Sequence, residues 1–199
     1  MFTEIKSLVS GYIEIKDITN PLQPEILISK KNAINFENFS ISLARCLANR
    51  PDSWIQDMCF GNGGATVSEI GTITYLPPNT IGMSAQLYNE TYYKVVDDQN
   101  PLNLDATYNY IQVAHSTGST YSDVIITCTL ELGEPAGQQA FDTTTNIQSE
   151  YAFNEIGLKA YSSTGPDTGL LLTHVIFSPI LKSLNRIIQV VYTIRIQTV

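Results

Sequence analysis

The chain has 199 residues, enough for one sizeable domain. Apolar residues make up 43% and charged residues only 15%, against roughly 25% charged in an ordinary soluble protein; Thr, Ser, Asn and Gln fill the difference, which speaks against a long-helix protein rich in Glu, Lys and Arg. The net charge of −8, with the basic residues scattered and Lys30-Lys31 their only adjacent pair, excludes the clustered basic footprint of a sequence-independent nucleic-acid binder.

The first element in chain order is Tyr12 to Ile18, where Ile13 and Ile15 alternate with Glu14 and Lys16. That period of two predicts a half-buried strand. Asn20-Pro21 makes a turn, and Glu25 to Ser29 reads as the returning strand of a hairpin.

A helix is predicted from Phe36 to Asn49. Phe36, Phe39, Leu43 and Leu47 fall on one stripe of a 3.6-residue repeat, joined by Ala44, Cys46 and Ala48. Asn35 is placed to cap its start, Glu37 suits the positive end of the dipole, and Pro51 prevents continuation. A single amphipathic helix of this length cannot bury its stripe alone, so it should lie against a sheet or a neighbouring subunit.

Strands then multiply. Trp54 to Phe60, Thr72 to Leu76, Thr91 to Val96, Tyr108 to Ala114, Asp123 to Leu132, Phe153 to Tyr161, Leu170 to Phe177 and Ile187 to Gln197 are separated by Gly, Pro and Asn turns. Ile126, Cys128, Leu130 and Leu132 share one face, as do Ile188, Val190, Tyr192, Ile194 and Ile196. The expected fold is mainly β: an antiparallel β-sandwich or jelly roll with one amphipathic helix, forming a single domain over residues 1–199. Two linkers, Asp97 to Asp105 and Glu134 to Glu150, are long enough to be functional or mobile excursions.

The three cysteines, Cys46, Cys59 and Cys128, form no CxxC pair and read as free core thiols of a protein made in a reducing cytoplasm. Residues 1–10 lack a signal-peptide apolar run, and no stretch approaches the roughly 20 apolar residues that span a bilayer. The protein is therefore expected to be soluble.

Gly61-Asn62-Gly63-Gly64 invites a phosphate-cradling reading, but no helix and no Lys-Ser/Thr pair follow. A tight turn needing positive φ is the better reading. Neither His115 nor His174 has a metal-ligand neighbour in sequence. His174 lies on the Leu170/Leu172/Ile176 side of its strand, which points to a hydrogen-bonded buried histidine. A hydrolase would need a histidine and a cysteine or carboxylate to converge in a pocket. Asp97, Asp98, Asn100, Asn103 and Asp105 offer oxygen ligands without the EF-hand pattern, so a solvated loop is expected. Tyr88, Tyr92, Tyr93, Tyr108 and Tyr110 suit a sugar-stacking surface or, more simply, positions bridging core and surface.

Three segments resemble virion structural proteins of tailed phages, including marine and cyanobacterial myophages: Asn32-Ala33-Ile34-Asn35-Phe36-Glu37-Asn38-Phe39-Ser40, Phe60-Gly61-Asn62-Gly63-Gly64, and Thr74-Tyr75-Leu76-Pro77-Pro78-Asn79. Phe177-Ser178-Pro179-Ile180-Leu181-Lys182 followed by Tyr192-Thr193-Ile194-Arg195-Ile196 is similar to the FPPI-x-K … W-x-I ending of phage head, neck and tail accessory proteins. Ser178 stands in place of the first proline and Tyr192 in place of the tryptophan. The resemblance implies a non-enzymatic virion component, made in the host cytoplasm and built into the particle by symmetric contacts. Capsid decoration leads neck/collar or tail/baseplate as its place, with a carbohydrate-binding module for host attachment as the other class. Other virion proteins and further copies of the chain are the expected partners; no cofactor, metal, nucleic acid or membrane is expected. Interaction residues are expected at Gly61, Asn62, Gly63 and Gly64, at Tyr92, Tyr93, Asp97 and Asp98, and at Phe141.

Overall fold

A computed structural model describes residues 6–138, 140 and 150–199. In chain order the elements are β1 (Ser7–Asp17), β2 (Glu25–Ile34), α1 (Phe36–Leu47), β3 (Ile55–Gly61), β4 (Ala65–Val67), β5 (Ile73–Tyr75), β6 (Glu90–Val95), β7 (Tyr110–His115), β8 (Tyr121–Leu130), β9 (Glu150–Ala160), β10 (Leu171–Ser183) and β11 (Ile188–Thr198). The fold is mainly β, with one helix and one large antiparallel sheet, as the strand periodicity predicts. No described helix is long and apolar enough to cross a membrane.

Nine strands make one sheet in the order β6-β3-β9-β10-β2-β1-β11-β8-β7, while β4 and β5 pair apart from it. Strand β2 is where the sheet turns over. Its first part pairs with β1 from Glu25 to Asn32, and its end pairs with β10 only at Ala33 and Ile34. The two halves face each other across one core. Ile13 and Ile15 of β1, Ile126, Cys128 and Leu130 of β8, and Ile188, Val190, Tyr192 and Ile194 of β11 meet Met58 and Phe60 of β3, Tyr151, Phe153, Ile156 and Leu158 of β9, and Val175 and Phe177 of β10. Burying each such side chain is worth about 1.5–3 kcal/mol before the entropy cost, so the inter-sheet core carries the fold. An aromatic chain lines it: Phe60 meets Phe153 edge-on at 5.4 Å, and Phe153 meets Phe177 edge-on at 5.8 Å.

Along β9 the inward set changes parity, from Tyr151 and Phe153 to Ile156 and Leu158. The slip is matched by a break in register with β10 between Ile176 and Ile180, where Ser178 and Pro179 are absorbed as a bulge.

The helix differs from its prediction. It ends at Leu47, and Asn35 caps it by accepting the Asn38 N–H at 3.0 Å, as expected. It docks through Phe39 of the predicted stripe, which packs against the core, and also through polar residues. Asn38 is buried and its Nδ2 donates to Leu171 O at 3.0 Å; Ser42 is buried and its hydroxyl donates to Ser53 O. Phe36 and Leu47 of the expected apolar stripe are 65% and 83% exposed. Satisfied polar anchors join Phe39 because the helix lands on strand and loop ends, where carbonyls need donors. Phe39, Leu43 and Cys46 also line a groove of about 350 Å³ with Trp54, Ile111 and Ile196.

Two further expectations are corrected. Leu132 lies past the end of β8 and is 60% exposed, and Cys46 is exposed on the helix, leaving only Cys59 and Cys128 as core thiols. The flanking strands of the sheet are β6 and β7. Gln138 lies against β6 with its side-chain amide paired to Tyr93: Oε1 accepts the Tyr93 N–H at 2.9 Å and Nε2 donates to Tyr93 O at 3.0 Å. On β7 the Ile111 N–H is taken by Asp98 Oδ1 at 3.1 Å.

Candidate interaction site

Between β3 and β6 the chain leaves the sheet for residues 62–89, an excursion longer than either linker singled out in the sequence. Its outer part is the β4–β5 hairpin, with Ala65 paired to Tyr75 and Val67 to Ile73. Ser68 and Gly71 close the turn: the Ser68 N–H donates to Thr72 O, and Gly71 adopts φ +80°. A two-stranded hairpin in water is marginal by itself. This one exposes Val67 (67%), Ile70 (89%), Ile73 and Tyr75, and the returning segment adds Ile81 and Met83. The arm is thus an apolar surface set away from the core.

Its foot is held firmly. Glu155 of β9 and His174 of β10 are both fully buried on the face of the sheet turned away from the core. Glu155 Oε1 accepts the N–H groups of Gly63 at 2.9 Å and Asn89 at 2.8 Å; Oε2 accepts the Tyr88 N–H at 2.9 Å and His174 Nε2–H at 2.9 Å. His174 Nδ1 accepts the Asn79 N–H at 3.0 Å, which requires the neutral tautomer with its proton on Nε2. Asn154 Oδ1 accepts the Gly64 N–H at 2.9 Å. Burial opposes the charge on Glu155, but His174 and the three backbone donors outweigh it and hold the carboxyl below its usual range. One carboxylate therefore fastens the outgoing and returning ends of the arm to the sheet.

A histidine and a carboxylate do converge here, as the hydrolase reading would need. Both nitrogens of His174 are already committed, so neither is free to take a proton from a substrate.

The glycines at the foot serve close approach. None of Gly61, Gly63 and Gly64 has a positive φ, which corrects the turn expected there. A Cβ on Gly61 would lie 2.4 Å from Asn89 O, and one on Gly63 2.6 Å from Asn89 N. Gly61 and Gly64 are buried, Asn62 and Gly63 half-buried, and Asn62 Oδ1 accepts from Asn89 Nδ2 at 2.6 Å.

The remaining expected interaction residues scatter. Tyr92 is a core residue at 7% exposure and Tyr93 is half-buried on the opposite face of β6, so the tyrosine set does not form one surface. Asp97 accepts from Trp54 Nε1 at 3.1 Å and from the Gln99 N–H at 3.0 Å; Asp98 accepts from Ile111. Asn100, Asn103 and Asp105 likewise accept from residues two positions on, which builds the 97–109 connection from successive Asx-type turns. Phe141 lies outside the described residues.

A second polar cluster went unread in the sequence. Lys159 of β9 is buried, and its Nζ donates to Glu90 Oε2 at 2.7 Å and to Asp167 Oδ1 at 2.6 Å. Asp57 Oδ2 accepts the Asp167 N–H at 2.9 Å, and Cys59 Sγ lies 3.6 Å from Asp167 Oδ1. Burial first, then the neighbouring Asp167, pushes Glu90 up to about 8; burial pushes Asp57 up to about 6 and Cys59 well above an ordinary thiol. Cys59, Glu90 and Asp167 are close enough to hold a metal ion, but the Lys159 ammonium already bonds two of the three and supplies the positive charge. Alternation marks Gly157 and Lys159 as facing away from the core; what covers them comes from residues far along the chain.

Comparisons with protein-family models, curated proteins and solved structures find no match to this chain.

Proposed function

We propose that this protein is a structural component of a tailed-phage virion, joining the particle through protein–protein contacts made by the β4–β5 arm and acting without catalysis. The observation that carries this reading is the arm itself. Val67, Ile70, Ile73 and Tyr75 stand exposed on a hairpin too small to be stable by its own pairing, while its foot is bonded to the sheet by Glu155, His174 and Asn154. A rigid mount beneath an exposed apolar surface favours docking, because little order remains to be gained on binding.

Two of the segments that carry the phage resemblance, 60–64 and 74–79, meet at this foot, and a third, 32–40, reaches the residue that follows them. The Phe36 N–H donates to Thr80 O, the Leu76 N–H to Gly64 O, and the Asn79 N–H to His174. Attachment to the capsid shell is the form of assembly we favour. A copy at each symmetry-equivalent position would seat its arm on a neighbour, as closed symmetric assemblies require.

The test is sedimentation of the purified chain alone and with particles that lack it, followed by cryo-electron microscopy of the loaded particles. The native chain is expected to self-associate or to load onto the particles. Ile70→Asp should fold normally and do neither. A native chain that stays monomeric at high concentration and binds no virion protein would sink the reading; density at the neck or tail would move its position in the particle.

A further inference from the structure

We propose that Lys159 and Asp167 become joined by an intramolecular isopeptide bond, with Glu90 carrying the proton between them. Lys159 Nζ is 3% exposed on its side chain and touches Asp167 Oδ1 at 2.6 Å, Asp167 O at 3.0 Å and Glu90 Oε2 at 2.7 Å. Asp167 is fixed in place. It adopts a left-handed φ of +67°, and its N–H is tethered to the buried Asp57 at 2.9 Å. A non-glycine residue held in that region signals a position over-determined by its surroundings. Amine and carboxyl are therefore held in contact, which is the arrangement that replaces a bimolecular collision with an intramolecular step.

The chemistry balances without a co-reactant. The ammonium of Lys159 and the carboxylate of Asp167 condense to one amide and one water. Nζ forms a bond to Cγ, one Cγ–O bond breaks, and the departing oxygen leaves as water with protons that began on Nζ. Lys159 and Asp167 start as an ion pair, each favouring the other's charged form, so proton transfer must precede attack. Glu90 touches Nζ at 2.7 Å, and burial together with Asp167 pushes its carboxyl up to about 8, which favours the protonated form. It donates to the Asp167 oxygen and recovers a proton from Nζ, ending as it began. In water the hydration of the separate ions opposes such a condensation; here the Lys159 ammonium has already left water and the Asp167 side chain is only a third exposed, so much of that hydration is lost before the bond forms. The bond would close a covalent ring around the β9–β10 connection and pin residues 160–166 to the sheet.

Intact-mass spectrometry of the denatured full chain tests this. After incubation at neutral pH, the native chain should weigh one water less than its sequence, and chymotryptic fragments bearing Lys159 and Asp167 should stay joined. Asp167→Asn should lose ammonia in place of water, a signature no ion pair produces. Lys159→Arg should keep its full mass, as should Glu90→Gln over the same interval. A native chain of full mass, or a water loss that persists in Lys159→Arg, would overturn the bond. A Glu90→Gln chain that condenses at the native rate would overturn the role of Glu90. The readout is independent of particle assembly, so failure here leaves the proposed function standing.

Discussion

Glu155 and His174 lie diagonally across β9 and β10, 2.9 Å apart from Oε2 to Nε2, with both side chains wholly shielded from solvent. That shielding comes from residues 62–89, whose backbone supplies the other donors to Glu155. The arm and the pair depend on each other: the carboxylate needs the arm's N–H groups, and it gathers three of them at one point.

Glu155→Gln keeps the side-chain shape but removes the charge and one acceptor. Leaving buried N–H donors of the arm without their carboxylate acceptor should cost about 3 kcal/mol, measured as a lower urea midpoint, with faster proteolysis within residues 65–89. Because the folded carboxyl sits below its ordinary value, its contribution is present above that value. It is lost as pH falls through the folded pKa. The native protein should therefore lose arm protection in acid, and the variant should show a shallower dependence. An unchanged midpoint would show that the pair does not hold the arm.

Gly63→Ala and Gly71→Ala separate two uses of glycine. At Gly63 the new methyl meets backbone at 2.6–2.8 Å, and overpacking against backbone should cost about 1–3 kcal/mol. Gly71 has open space but φ +80°, so only the conformational penalty of about 1 kcal/mol applies. Thermal unfolding of the two variants should rank them in that order.

Replacing residues 66–74 with a two-residue turn removes the hairpin tip, which is exposed throughout. Stability should change by no more than about 0.5 kcal/mol, while association measured by sedimentation should disappear. Loss of folding on this deletion would mean that the tip supports the sandwich itself.

Lys182 gives a pH signature on the opposite side of neutrality. It is fully buried on β10, and its Nζ donates to the carbonyls of Glu131, Glu134 and Ser183. Burial lowers it to about 8. Between pH 8 and the ordinary lysine value the unfolded chain binds more protons than the folded one, so this group adds stability as pH rises. Below pH 8 that gain is absent. The stability of the native chain relative to Lys182→Met should therefore rise from pH 8 to pH 10, read by urea unfolding at each pH.

The sandwich was legible because alternation is a local signal. Ile13/Ile15, Ile126/Cys128/Leu130 and Ile188 through Ile194 all face the core that their spacing predicts. The cap at Asn35 and the buried, bonded state of His174 were legible for the same reason. What lies outside the core was not. Of the predicted helix stripe, Phe39 packs against the core and Leu43 is half-buried while Phe36 and Leu47 are exposed, and Asn38 and Ser42 add contacts because the landing site includes carbonyls of Leu171 and Ser53. The partners of Glu155 come from positions 63, 88 and 89, and those of Lys159 from positions 90 and 167. Such separations leave no periodic trace. A bonded His174 implied a partner without naming it, and the parity slip at Asn154-Glu155 is the one local mark of where that partner sits.

The Gln138 amide, lying along β6 and satisfying both polar groups of Tyr93, interrupts the outer edge of the sheet. A foreign strand arriving at either flank meets a position already filled, Tyr93 on β6 and the Ile111 N–H on β7. A flank so interrupted is a poor template for a strand from another molecule, which works against open-ended edge-to-edge growth.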